Sequence, residues 1–241
     1  YAEAVELLDR LELADNRARA AQAQPSGRIR SSVPQVVASQ ELPHWLPPFL
    51  SRHPQISLDL CADDQLVDVV GGGFDLVLRI AHELPDSQMV ARELACCDRI
   101  LVAAPSYLAR HGLPRHGSEL AQHALLAFSP TTARVPWHLQ GPRSASLEVE
   151  AGQRLAVDAT PALHAAALAG MGITLFTALT VQDDLRAGRL LRVLPDWYID
   201  DGNISIYYAE HKLLPGKTRA FVDFMIEQFV EQGLARRFSA F

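Results

Sequence analysis

The chain has 241 residues, 49% hydrophobic and 21% charged, with a formal net charge of −6 at pH 7. That length and apolar content suffice for one or two globular cores, and the acidic balance with scattered Lys and Arg argues against a clustered basic face that grips nucleic acid. Apolar runs stop short of the roughly 18 residues a membrane helix needs, so no span is expected; three cysteines form no disulfide framework and point to a reducing compartment.

The chain starts at Tyr1, without Met and already within a helical pattern, so a preceding segment is expected. Tyr1, Ala4, Leu8, Leu11, Asp15 and Ala18 recur at alternating spacings of three and four, a heptad seam interrupted by one Asp. Such a helix is expected to pair with a second copy or to lie on the domain, with Leu8 and Leu11 as its contact positions. Pro25 and Gly27 end it within a short linker.

A strand over Arg28 to Val33 opens the globular part, followed by a helix with Leu42, Leu46, Phe49, Leu50 and His53 on one face. Ile56, Leu58 and Leu60 alternate with polar residues, which predicts a strand at or near a sheet edge. Asp63 or Asp64 is placed to cap a helix through Leu66 to Val70, which Gly71 to Gly73 end before a strand over Phe74 to Ile80. Strands separated by single short helices imply parallel pairing. The triple Gly runs from helix to strand, the reverse of a phosphate loop, and is read as a helix stop.

Two strand-like runs follow, Met89 to Leu94 and Arg99 to Ala104, around the vicinal pair Cys96 and Cys97, which would face opposite sides of a strand. A helix opens at Pro105, Ser118 caps a short helix, and Leu125 to Phe128 is a strand. Pro130 to Gly152 reads as a hairpin holding Trp137, and Leu155 to Asp158 as a strand. The Ala-rich helix Pro161 to Ala169 ends at Gly170 and feeds an apolar strand, Ile173 to Phe176, covered on both faces. A loop is expected at Thr177 to Thr180, at that strand's C-terminal end, where open α/β sheets place ligands. A helix over Asp183 to Gly188, strands at Leu190 to Leu194 and Ile204 to Ala209, and a final helix over Gly216 to Gln232 complete the chain. That helix carries Phe221 and Met225 on an apolar arc wide enough for burial or for contact with another subunit.

No catalytic constellation is present: no G-x-S-x-G elbow, no H-E-x-x-H and no paired C-x-x-C. His111 and His116, the nearest approach to a metal pair, are read as solvated, so neither metal nor cofactor is expected, and the chain is not read as an enzyme.

Several segments together carry a family resemblance: Leu46 to Leu60, Val67 to Ile80, Val90 to Gly112, AAALAGMGITLF at Ala165 to Phe176, Asp183 to Trp197 and Thr218 to Phe229. In their order they resemble the regulatory part of a LysR-type transcriptional regulator over nearly the whole chain, with Tyr1 to Arg30 resembling that family's linker helix. The resemblance implies an α/β fold of two Rossmann-like lobes of the type-2 periplasmic-binding-protein kind, joined by two crossover strands and preceded by the linker helix. Residues 1–26 would be the dimerisation helix and linker, 27–97 with 209–241 lobe I, and 98–208 lobe II. The family's winged helix-turn-helix lies outside this sequence. The implied partners are a small-molecule effector, promoter DNA through that N-terminal domain, and further copies in a homodimer or homotetramer, in the cytoplasm and without membrane contact.

The residues and the resemblance agree on the ligand's place. Helix N-termini facing the cleft offer unpaired N–H groups and a positive dipole end, which suits a carboxylate. The expected effector-binding residues are Val33, Pro34, Gln35, Val36, Asp64 and Arg79 from lobe I, and Ala159, Thr160, Phe176 and Thr177 from lobe II. Where the family often has a hydroxyl residue in the first loop and Pro after the apolar strand, this chain has Gln35 and Thr177. The carboxylates of Asp63 and Asp64 disfavour a neighbouring anion unless Arg79 compensates. The other class that fits a two-lobe clamp is a solute-binding protein of a transport system, against which the heptad helix argues.

Overall fold

The structure is a computed structural model describing residues 24–64, 72–82, 89–129, 135–209, 214–234 and 237. The predicted heptad helix with Leu8 and Leu11, and the predicted helix at Leu66 to Val70, lie outside the described residues. Among the described residues no helix is long and apolar enough to cross a membrane.

The first lobe begins with β1 (Gly27–Val33), a π-helical stretch Val37–Glu41 that runs into α1 (Leu42–Arg52), then β2 (Ile56–Ala62) and β3 (Leu76–Ala81). β1 pairs in parallel with both β2 and β3, as the strand-helix-strand order requires, and β2 takes the edge position its polar alternation predicts. On α1 the buried residues are Leu42, Trp45 and Phe49, while Leu50 faces solvent, so the apolar face is rotated from the predicted one. Pro47 and Pro48 lie on the exposed side, where their missing N–H groups leave no buried acceptor unpaired.

The two runs around the cysteine pair are one strand, β4 (Met89–Ala103), of 15 residues. A strand this long serves both lobes. Its first half pairs with the end of β11 (Tyr198–Ala209); its second half pairs with β9 (Ile173–Thr177) and β10 (Leu191–Arg192). β11 likewise spans the molecule, starting six residues before the predicted strand because Tyr198 to Asp200 pair with Ile100 to Asp98. Between Asp200 and Asn203 the register shifts at Gly202, whose φ is +85°, and a Cβ there would meet the Ala81 and His82 backbone at 2.4 to 2.5 Å. No side chain fits at this bend.

The second lobe contains α2 (Pro105–His111), β5 (Leu126–Phe128), the hairpin β6 (Val135–Gln140) with β7 (Ser146–Ala151), β8 (Leu155–Val157), α3 (Thr160–Leu168) and α4 (Ala178–Arg186). The short helix at Gly117–Gln122 is a 3-10 turn without a side-chain cap, so Ser118 does not play its predicted part. α3 closes at Gly170 with φ +71°, and every residue of β9 is buried, as the Gly stop and unbroken apolar run predict. Two apolar clusters cover the two sides of this lobe's strands. This is the expected α/β architecture of two lobes and two crossover strands.

The final helix α5 (Gly216–Glu231) packs on the first lobe. Phe221 and Met225 are 0% and 1% exposed, and Phe49 lies 5.1 Å from Phe221 and 4.8 Å from Phe224 between ring centroids. Both expected oligomerisation positions on this helix are thus spent on the chain's own core and present no surface to another subunit. Leu179 of α4 joins that cluster, so a second-lobe side chain completes the first lobe's core.

Phe49→Ala is expected to lower unfolding free energy by about 3–5 kcal/mol, the range for a buried Phe, measured by urea denaturation. A loss below about 1 kcal/mol contradicts the packing described for the three rings.

Candidate functional site

A cavity of about 160 Å³ lies between the lobes. That is close to the ~150 Å³ that accepts a benzene-sized molecule. Its walls come from the ends of strands: Pro34 and Val36 after β1, Asp64 after β2, Arg79 and Ile80 on β3, Phe128 on β5, and Leu175, Phe176 and Thr177 on β9. Thr160 and Leu163 of α3 and Thr180 of α4 face it, and Arg99 and Asp201 reach it from the crossover strands. Apolar groups from both lobes line most of this wall, with a few charged groups among them, the usual composition of a small-molecule site.

Asp64 links the lobes. Its Oδ2 accepts a 2.6 Å hydrogen bond from the Thr160 hydroxyl at the start of α3, and its Oδ1 accepts a 2.9 Å bond from the Gln35 backbone N–H. Gln40 adds a second link, its Nε2 donating to the Thr180 carbonyl at 3.3 Å. Arg237 makes a third: it donates to both carboxylate oxygens of Glu41, at 2.6 and 3.2 Å, and to Oε1 of Gln182 at 3.1 Å.

Arg79 is 2% exposed, with its Nη2 donating to Ser32 Oγ at 2.6 Å and Nη1 to the Leu78 carbonyl at 2.7 Å. Burial lowers its pKa, Asp63 and Asp64 oppose that, and the guanidinium stays charged. Arg99 donates to Asp201 in a 2.7 Å ion pair. Two arginines and two aspartates therefore line one small cavity.

Seven of the ten expected residues reach this wall: Pro34, Val36, Asp64, Arg79, Thr160, Phe176 and Thr177. Val33 is instead buried in the first lobe's core, Gln35 takes part through its backbone, and Ala159 starts α3, accepting from Ala162 and Leu163. Thr177 does not open a loop, because α4 begins at Ala178; its Oγ1 accepts from the Thr180 N–H at 3.4 Å and shares a 2.8 Å hydrogen bond with the Thr180 hydroxyl. Sequence reasoning missed Arg99, Asp201, Phe128, Leu163, Leu175, Ile80 and Thr180. Leu163 was within reach, one helical turn after Thr160, whereas nothing local says that two crossover strands pass the cavity.

The pattern of the LysR substrate binding domain matches residues 22–230. The chain belongs to the LysR substrate-binding domain family. It is 32% identical to the HTH-type transcriptional regulator YhjC of Escherichia coli over 204 residues, covering 83% of this chain and 67% of the relative. It is 30% identical to the HTH-type transcriptional regulator PtxR of Pseudomonas aeruginosa, covering 92% and 70%. The solved regulatory domain of AphB in Vibrio vulnificus aligns with a TM-score of 0.69 at 29% identity, over 85% of this chain and all of that one. The chain spans 63% to 70% of the length of the first curated relatives it matches. All of these relatives are described as transcriptional regulators.

Behind the cavity wall of this LysR domain, α3 and α4 are tied by one buried carboxylate. Asp184 accepts from His164 Nε2 and from Arg189 Nε, both at 2.6 Å, and the His164 ring meets Phe176 edge-on with centroids 5.7 Å apart. The vicinal cysteines divide as a strand demands: Cys97 is buried, which pushes its thiol up and leaves it unreactive, and Cys96 is exposed.

Burial pushes the Asp184 carboxyl up, but the hydrogen bonds from Arg189 and His164 outweigh it and hold the pKa below the usual carboxylate range. Such a group adds stability that is present above the unfolded value of about 4 and is lost as pH falls through the folded value. Asp184→Asn is expected to cost about 1–2 kcal/mol at pH 7, with the gap to the parent closing on acidification below about pH 4, followed by urea unfolding at several pH values. A gap independent of pH contradicts this account of the pair.

Proposed function

We propose that this chain is the effector-sensing and oligomerisation part of a DNA-binding transcriptional regulator, and that a small anionic molecule binds between its lobes. The observation that carries the reading is the cavity itself, walled by both lobes and crossed by the Asp64 to Thr160 hydrogen bond. A molecule held there contacts both lobes at once, so its affinity depends on how they sit, which is the differential contact that signalling needs. In this reading residues 27–97 with 209–241 and residues 98–208 are the two clamping lobes. Residues 1–26, with Leu8 and Leu11, are the pairing helix of a homodimer or homotetramer. Promoter DNA is held by a further N-terminal domain, in the cytoplasm, and the signal passes by binding rather than turnover.

The helix ends and Arg79 support an anionic ligand. The helix starts after Pro34 and at Thr160 bring positive dipole ends to the cavity, beside the buried Arg79. The cavity volume fits a body of few heavy atoms with an apolar side against Leu163 and Phe176.

Thermal unfolding of the chain against a panel of small organic acids tests the proposal. A ligand at 100 times its Kd is expected to add about 2.7 kcal/mol, or a Tm rise of roughly 5–10 °C. Leu163→Trp, which fills the cavity, is expected to abolish the rise. A rise that survives the substitution puts the effector elsewhere, and no rise with any acid contradicts the anion reading.

A further inference from the structure

Building on the effector reading, we infer that Asp64 is a built-in competitor of the effector: its carboxylate occupies the position an incoming carboxylate must take, and so sets which ligands bind. Two donors that an anion would use converge on the cavity, the Gln35 backbone N–H at a helix start in one lobe and the Thr160 hydroxyl in the other. Both are already satisfied by one protein carboxylate, whose two oxygens accept at 2.9 Å from Gln35 and at 2.6 Å from Thr160. Asp64 joins one donor from each lobe, reaching Thr160 across 96 residues of chain, at the wall of a partly open cavity of about 160 Å³.

The charges make the same point. Arg99 is neutralised by Asp201 at 2.7 Å, and Asp64 stands among the charges facing the buried Arg79. The two arginines and two aspartates of the wall offset one another, and Asp63 adds a further negative charge facing Arg79. A second carboxylate placed beside Asp64 meets a like charge at close range, which opposes its binding. An anionic effector therefore binds by displacing Asp64 from Thr160 and Gln35, replacing a lobe-to-lobe hydrogen bond with a lobe-to-ligand one. That exchange couples ligand charge to the contact between the lobes, with the Gln40 and Arg237 links remaining in place.

The test is calorimetric titration of the chain and its Asp64→Asn variant with butyrate, butylamine and butanol, three probes of one size that differ in charge. Asparagine keeps an acceptor for Gln35 while removing the charge. The variant is expected to bind butyrate at least tenfold more tightly than the parent, with butanol unchanged and butylamine weakened, and Thr160→Val in the same background is expected to remove the gain. Should Asp64→Asn be unfolded by circular dichroism, Asp64→Ser takes its place with the same expectation. Equal butyrate affinity in parent and variant, lost in both on Leu163→Trp, overturns the inference and leaves the cavity as the effector site. Binding of none of the probes to either protein overturns the inference and the effector reading together.

Discussion

The antiparallel ladder between β4 and β11 is the constraint on which the rest of the structure depends. Each strand runs through both lobes, so the same backbone hydrogen bonds that hold β3 beside the first core also set where β9 and β10 begin. The ladder shifts register between Asp200 and Asn203 and again between Ile204 and Ser205, and at the first of these Gly202 passes within contact of the Ala81 and His82 backbone. That passage brings Asp201 and its partner Arg99 to the cavity rim. The lobes have little freedom to drift apart in the sheet plane. Their relative tilt is governed by what lies between them.

What lies between them is a balance of charge and apolar surface. Leu179 crosses into the first lobe's core, and Asp64, Gln40 and Arg237 each make a hydrogen bond to the opposite side. Such contacts are individually worth about 1 kcal/mol, except where a buried charge is left alone, when the cost rises severalfold. A ligand that alters one of them while touching both lobes shifts the balance by an amount comparable to the links themselves. In the proposed function, rigid strands with a weakly latched cleft are what a response to a small molecule requires.

Much of the fold was legible because its signals were local. Gly170 closing α3, the unbroken apolar run of β9, the Pro at the start of α2 and the alternation of β2 each follow from one residue or one short period. Long-range choices were not. The division of β4 into two strands came from treating the Cys96 and Cys97 pair as a break, which the ladder with β11 overrides. Phe221 and Met225 illustrate the same limit: an apolar arc says that a face is covered, and only packing against Phe49 says by what. At the cavity, helix starts and strand ends pointed to Asp64, Arg79 and Thr160, while Arg99 and Asp201 needed the crossover geometry.

The measurement that tests the central claim most directly is the amide chemical-shift map of the isotopically labelled chain during titration with a library of small organic acids. The account predicts that binders move the amides of Gln35, Val36, Thr160, Phe176 and Thr177, with smaller shifts along β4 and β11 at the crossover. Binders that move the amides of the outer groove around Tyr107 and His123 instead, and leave the cleft unchanged, would contradict it.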